Sequence, residues 1–457
     1  MGQTVDMPLW ALVLLVGFAA VTFASHFLFP SVRWFLRRRL ERAVARLNTR
    51  LQRPIEPFKL ARRHDMIQRL IYDPEVSRAI AAHAQAEGIP ENVAFEKARR
   101  YAREIVPSFS ATAYFGIAIR LAKWLSRSLY RVRLGHLDEV ALTRVDRNAT
   151  VVFVMNHRSN MDYVLVTWLA AERSALSYAV GEWARVWPLS RLIKAMGAYF
   201  IRRKSRNDLY RRVLARYVGM ATDGGVTQAM FPEGGLSLDG ALQPPKLGLL
   251  TYLVEERSNP SRDVVFVPVA INYDRVFEDR LLVAAAQSGS RRFPARISVV
   301  ARFVLRQIWL RLRGRSHRHG YAAVSFGAPL SLAAFQHDHP VEGVRGLARV
   351  LMQRIGQVVP VLPVPLVARA LVLAEGPLSP AALDQAVTGM LEVVPRTSVY
   401  LPRDDLSYAT RFGLRALRER GMIEDCAGSF AVVERHRPVL AYYAASIAHL
   451  FCERSTD

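Results

Sequence analysis

The stretch VVFVMNHRSNMDYVLV, residues 151–166, decides how this chain is read. It opens on an unbroken apolar run, which suits a strand covered on both faces, and closes on another that suits a buried helix. Between them, NHRSNMD puts His157 and Asp162 at a strand-to-helix junction. Five residues apart on a regular helix is about 500°, or roughly 140° off a shared face, so the two side chains meet only across an irregular turn. A junction supplies such a turn. A neutral imidazole takes a proton from a hydroxyl while a carboxylate on its other nitrogen fixes the tautomer, work typically worth about 10²- to 10⁴-fold in rate. Ser159-Asn-Met-Asp162 equally fits a helix-start pattern, in which Asp162 merely sits in the first turn and His157 merely ends the strand. On this segment alone both readings stand.

Outward from this block, ATVVFVM, VTQAMFPEGG, DVVFVPVAINY and YAAVSFGAPLSL are short apolar runs separated by helical stretches. That alternation marks an α/β domain, here expected over 146–333 as a mixed sheet flanked by helices. Helical regions are expected on either side. Over 33–145 the basic stretch, DPEVSRAIAAHAQAEG and the amphipathic run AYFGIAIRLAKWLSRSLYRVRLG, ending at Gly135, carry the helical period. Over 334–457 helices resume, and RFGLRALRERGMIEDCAGSFAVVE reads as a helix followed by a short β-hairpin.

From Pro8 to Phe29 the chain has no Asp, Glu, Lys or Arg. Such a run spans about 33 Å as a helix, against a hydrocarbon core of roughly 30 Å, so a transmembrane anchor is expected over 1–32. Arg33, Arg37, Arg38, Arg39, Arg42 and Arg46 follow it and no basic residue precedes it, which puts the rest of the chain on the cytoplasmic side of the inner or cell membrane. The alternatives are a re-entrant or peripheral hairpin, or a cleaved signal peptide, which would want basic residues before the run and an A-x-A-like site after it. ARFVLRQIWLRLRG (301–314) interleaves apolar side chains with arginines, as in a helix lying in a membrane interface or in an ordinary packed helix with a basic side.

With 457 residues, 51% hydrophobic and 22% charged, the chain has material for a sizeable core, which excludes a disordered tail or a disulfide mini-scaffold. Its 63 Lys+Arg against 39 Asp+Glu leave +24, a field that favours phosphates, anionic lipid or nucleic acid. Cys426 and Cys452 are too few for a metal framework, and a single bridge between them is the most they allow.

Three further segments bear on the chemistry. GAYFIRR (197–203) ends on Arg202 and Arg203, whose forked donors suit a phosphate. FPEGGLS (231–237) follows a strand with Glu233, Gly234 and Gly235, where missing side chains let backbone N–H groups approach a ligand. LQPPKLG (242–248) presents Lys246, and VPVAINY (267–273) is a buried strand carrying Pro268. Each alone has a plain alternative: solvated arginines, a tight turn, a strand-end breaker.

In this order NHRSNMD, GAYFIRR, FPEGGLS and VPVAINY resemble the four acyltransferase blocks of the glycerol-3-phosphate acyltransferase family. LIYDPEV (70–76), QPPKLG, VSFGAPLSL (324–332) and RPVLAYYAASIAH (437–449) extend the resemblance over most of residues 60–450. It implies transfer of a fatty acyl group from acyl-CoA or acyl-carrier protein to the 1-hydroxyl of sn-glycerol 3-phosphate, giving lysophosphatidic acid. No metal and no cofactor beyond the acyl donor is implied. Carried over, His157 is the general base and Asp162 its orienting partner; Arg203, with Arg202, holds the acceptor phosphate; Glu233, Gly234, Gly235 and Ser237 shape the acceptor pocket; Pro268 supports the edge. The implied partners are glycerol 3-phosphate, the acyl donor and membrane lipids, with no nucleic acid.

One departure stands out. The third block in this branch usually carries an arginine after EGG and another two residues later, and here Leu236 and Leu238 occupy those positions. Losing one charged phosphate contact, about 1.5 to 3 kcal/mol, weakens binding roughly 10- to 150-fold unless Lys246 or an arginine of the second block substitutes. A more apolar rim also admits a lysophospholipid, dihydroxyacetone phosphate or another lipid alcohol. The readings outside this class are a catalytically weak membrane scaffold and, from the net charge and a winged-helix-like stretch near 411–434, nucleic-acid binding.

Overall fold

The computed structural model describes residues 8–49, 51–170, 175–181, 189–202, 207–258, 261–289, 313, 319–395 and 398–451. Contacts divide the chain into two units, Met1–Ile55 and Glu56–Asp457.

In the first unit one helix runs without a break from Leu9 to Asn48, and Asn48 Oδ1 accepts the N–H of Ile55. The expected transmembrane anchor is not borne out: among the described residues no helix is long and apolar enough to cross a membrane.

In the second unit Tyr130 ends a helix by taking an extended backbone (φ −130°, ψ 158°) and anchoring its hydroxyl on Arg275 O at 2.8 Å. The next seven residues, Arg131–Leu137, form strand β1. The expected helix through Gly135 therefore stops short, at Leu129. A Cβ on Gly135 would fall 2.1 Å from Ser325 Oγ, so this position, at a shift in strand register, has room only for glycine.

The strands that follow are β2 (Thr150–Met155), β3 (Ser177–Gly181), β4 (Tyr199–Ile201), β5 (Gln228–Met230), β6 (Val264–Tyr273), β7 (Tyr321–Phe326) and β8 (Leu330–Ser331). They make one sheet in the order β1-β7-β6-β2-β5-β3-β4, with β8 paired to β6. Strands β6, β2, β5, β3 and β4 are mutually parallel, and β7 and β8 run antiparallel to β6. β2 and β6 are buried at every position, as strands covered on both faces must be. The mixed α/β sheet domain is thus present, with β1, β3 and β4 added to the strands legible in the sequence.

Helices cover the sheet. Asp73 caps the helix Pro74–Glu87 and also receives both arms of Arg216, on the helix Asp208–Asp223, at 3.1 and 2.9 Å. The region after β8 is mainly helical: Gly343–Gln357, Pro363–Leu373, Pro380–Val393, Leu406–Glu419 and Arg437–Ala445, with a hairpin of β9 (Ile423–Cys426) and β10 (Ser429–Val432). One buried cluster runs from Met66 through the sheet to Ile447, so the carboxyl-terminal helices share the core of the sheet. Cys426 is exposed and in no disulfide, while Cys452 and nearly all of 301–314 lie outside the described residues.

Candidate active site

Because five neighbouring strands are parallel, their carboxyl ends share one edge of the sheet, where α/β proteins gather their ligands. His157 follows β2, Arg202 follows β4, Phe231 and Glu233 follow β5, and Tyr273 ends β6. β6 outruns β2 beyond the Met155–Val269 pair, and Asn156 bridges the difference: its side-chain amide donates to Ile271 O at 3.0 Å and its Oδ1 accepts Ile271 N–H at 2.8 Å. The chain then leaves the sheet in an irregular turn that brings His157 Nδ1 to 2.9 Å from Asp162 Oδ2.

Both side chains are buried, at 2% and 0% exposure. Asp162 Oδ2 also accepts the backbone N–H groups of Arg158 (2.7 Å) and Ser159 (3.0 Å), and Oδ1 accepts the Tyr273 hydroxyl (2.6 Å). A carboxylate committed to four donors acts only as acceptor, so Nδ1 carries the imidazole proton and Nε2 keeps its lone pair for an incoming hydroxyl. Asp162 both closes the turn and orients the imidazole, so the helix-start pattern and the His157–Asp162 pairing coexist in one arrangement.

Further contacts hold the turn from both flanks. The imidazole stacks on Phe231 with centroids 4.0 Å apart and meets the edge of Tyr163 at 5.5 Å. His157 O accepts Ser237 N–H at 3.0 Å. Ser159 Oγ donates to Glu278 Oε2 at 2.8 Å, and Asn160 donates to Glu278 Oε1 from its backbone and side chain at 3.3 and 3.1 Å. Burial raises the Glu278 carboxyl, partly offset by these donors. Such redundancy holds the imidazole in one position.

The third block lies directly beneath. Glu233 is buried, with Oε1 3.4 Å from His157 N, while Oε2 meets no hydrogen-bond partner among the described residues. Burial pushes its carboxyl up to about 8, against the pull of Arg158 and the backbone N–H groups of His157 and Gln243. Gly234 sits at φ +66°, and a Cβ there would come within 2.7 Å of Lys246 Cδ, so the exposed Lys246 side chain lies along this turn; Gly235 continues it half-buried. Lys246 is tied to the turn through its own N–H, which donates to Pro232 O at 2.8 Å. Ser237 is fully buried and its hydroxyl donates to Ala241 O at 2.7 Å, which closes the loop rather than facing a pocket. Leu236 and Leu238 are half-buried against the core cluster, so no cation replaces the family's arginines at those two positions.

The second block is arranged differently from the sequence expectation. Arg202 gives its fork to Glu104 at 2.9 and 2.7 Å and lies over the rings of Tyr101 and Tyr210, which raises the guanidinium further. That engagement takes it away from the role of phosphate ligand. Arg203 lies outside the described residues. Pro268 is buried in mid-strand opposite Val154, its carbonyl accepting Gly327 N–H at 2.8 Å at the break between β7 and β8, where the missing donor costs no ladder bond. Among the described residues no group of three or more His, Cys, Asp or Glu is arranged to hold a metal ion.

Two family models match, "Acyltransferase" over residues 137–272 and "Glycerol-3-phosphate acyltransferase C-terminal region" over residues 308–456, which together take in both the catalytic turn and the helices behind it. By both stretches the chain is similar to the glycerol-3-phosphate acyltransferase family. Among its relatives, the glycerol-3-phosphate acyltransferase of Pseudomonas putida is 27% identical over 425 residues, 86% of this chain and 49% of that protein. The glycerol-3-phosphate acyltransferase of Aeromonas hydrophila is 27% identical over 423 residues, 86% of this chain and 50% of that one. The chain thus spans about half the length of the curated relatives it matches. A solved structure, the 1-acyl-sn-glycerophosphate (LPA) acyltransferase PlsC from Thermotoga maritima, is 18% identical with a TM-score of 0.33, covering 53% of this chain and 76% of that one.

Within this family site, five residues carry positions that the sequence reading did not single out: Asn156, Arg158, Phe231, Tyr273 and Glu278. The first four lie inside or at the ends of the quoted blocks, where a buried polar or aromatic residue beside a catalytic one was the available signal. Glu278 lies outside them and had none.

Proposed function

We propose that this chain transfers a fatty acyl group from acyl-CoA or acyl-carrier protein to the 1-hydroxyl of sn-glycerol 3-phosphate, giving lysophosphatidic acid. One observation carries this reading: a buried imidazole with Nδ1 fixed on Asp162 and Nε2 left basic, at the shared edge of five parallel strands. His157 Nε2 takes the hydroxyl proton as the oxygen attacks the thioester carbon; the C–S bond then breaks and the proton passes to the departing sulfur. No protein nucleophile is required, since the acceptor hydroxyl attacks directly.

For the acceptor phosphate we favour Lys246, which lies along the Glu233–Gly234 turn, with Arg203 as the second cation. The apolar Leu236 and Leu238 favour, as the second reading, the same chemistry on a lysophospholipid or dihydroxyacetone phosphate. Association with an anionic membrane surface also belongs to this reading: Leu9, Trp10, Leu12 to Val16, Phe18 and Val21 are exposed, and an excess of +24 suits anionic headgroups.

The test is mass spectrometry of products from wild type and His157→Ala, each offered a long-chain acyl-CoA or acyl-carrier protein with glycerol 3-phosphate, dihydroxyacetone phosphate and several lysophospholipids in parallel. Lysophosphatidic acid that disappears with His157 supports the reading. A His157-dependent product from another acceptor moves the substrate, and no product with either donor ends it.

A further inference from the structure

Packed against the turn that carries His157 stands the helix Arg437–Ala445. Arg158, next in sequence to His157, is 2% exposed, and its Nη2 donates to Ser446 O at 3.1 Å, just past the end of that helix. The helix answers from its own side, with the Tyr442 hydroxyl reaching Arg158 O at 3.4 Å. Around this pair the contact is broad. Asn272 Nδ2 reaches Pro360 O at 2.9 Å and Ser446 Oγ at 3.4 Å, Tyr443 Oη accepts Val276 N–H at 3.0 Å and donates to Asp279 at 2.6 Å, and Arg420 pairs with Asp279. A Cβ on Gly240 would lie 1.8 Å from Tyr442 O, so the loop after the third block is pressed against the same helix.

A guanidinium this deeply buried is costly unless its position serves something. Nε and Nη1 meet no hydrogen-bond partner among the described residues, and neither does Glu233 Oε2. Arg158 thus takes its one described hydrogen-bond acceptor from the end of the carboxyl-terminal helix, while its backbone N–H is a ligand of Asp162 at 2.7 Å. One residue links the carboxylate that orients His157 to Ser446, 288 positions further along the chain and just past the end of that helix.

We propose that Arg158 is a positioning residue through which the helix Arg437–Ala445 sets the place of the His157–Asp162 pair, making the carboxyl-terminal region part of the catalytic scaffold. This rests on the acyl-transfer reading for its kinetic test only. Seating of that helix governs turnover, because displacing Arg158 moves the backbone N–H that Asp162 accepts, and a shift of about 1 Å at a general base costs up to about 100-fold.

The experiment uses the full chain carrying Arg158→Met, Arg158→Lys and Tyr442→Phe, with kinetics on the acceptor that wild type uses and hydrogen exchange followed by mass spectrometry. Arg158→Met is expected to lower kcat about 10- to 100-fold with KM for both substrates within about twofold. Arg158→Lys is expected to recover part of that loss. Exchange is expected to quicken together in peptides covering 156–162 and 437–447 and not in β7. An acceptor KM raised tenfold at unchanged kcat makes Arg158 a substrate ligand and overturns the proposal. Faster exchange confined to one of the two peptides overturns it too. If Arg158→Met fails to fold, Tyr442→Phe, which removes a single hydroxyl, decides by the same coupled exchange. The exchange readout needs no activity, so an inactive wild type would sink the acyl-transfer reading and leave the brace to be judged separately.

Discussion

Tyr273 donates its hydroxyl to Asp162 Oδ1 at 2.6 Å, from the last position of β6, on the carboxylate whose other oxygen meets His157. The strand that carries the fourth block thereby orients the acid of the first. Tyr273→Phe keeps the ring and removes one hydrogen bond of about 1 kcal/mol, so kcat is expected to fall about 3- to 10-fold. Steady-state kinetics beside His157→Ala, whose loss should be far larger, checks it. A Tyr273→Phe variant as impaired as His157→Ala would mean that the tyrosine itself touches the reacting atoms.

Asn156 replaces a missing pair of strand bonds with its side chain. Asn156→Ala leaves both the N–H and the carbonyl of Ile271 buried without that partner. A loss of about 2 to 4 kcal/mol of stability is expected from two such groups, read as a lowered urea midpoint at unchanged slope. An unchanged midpoint would mean that Ile271 finds other partners and that the clasp is dispensable.

Glu233 gives a signed pH dependence. Its carboxyl is pushed up to about 8 from an ordinary value of 4.5, so the folded chain holds this proton over a range where the unfolded chain has released it. Stability therefore falls as pH rises from about 4.5 to about 8, by an amount on the order of a few kcal/mol. Asp274, pushed up to about 7 by burial, adds a slope of the same sign. The quantity to measure is the difference between wild type and Glu233→Gln in denaturant titrations across that window. A difference that stays constant with pH would mean that Glu233 is ionised in the folded chain throughout.

Gly234 holds φ +66° with Lys246 Cδ 2.7 Å from where a Cβ would stand. Gly234→Ala is expected to cost about 1 to 2 kcal/mol for the left-handed backbone. It also pushes the Lys246 side chain aside, so acceptor KM should rise while donor KM holds, as kinetics with each substrate varied in turn would reveal. An equal rise in both would argue that Lys246 does not touch the acceptor.

Much of this site was legible before any coordinates. The apolar runs that became β2, β5, β6 and β7 were legible because strands covered on both faces lack a regular polar alternation, and that signature is local. His157 and Asp162 were legible as a pair because the chemistry of a base needs an orienting acid and only a turn joins them at that spacing. The edge strand β1 was not, since Arg131 and Arg133 beside Val132 and Leu134 read equally well as an amphipathic helix. Its partner β7 lies nearly two hundred residues on. The N-terminal anchor was expected from the length of the apolar run, and the described helix does not bear it out.

The sequence by itself determined the strands at the centre of the sheet and the junction that carries His157 and Asp162, because each is written in residues a few positions apart. Only the tertiary structure decided which charges reach the site. Arg202 reads as a phosphate ligand until Glu104, ninety-eight residues earlier, takes its fork, and Arg158, which the sequence did not single out, finds its acceptor in Ser446. A side chain's partner depends on which distant segments the core brings together, and local pattern carries no record of that.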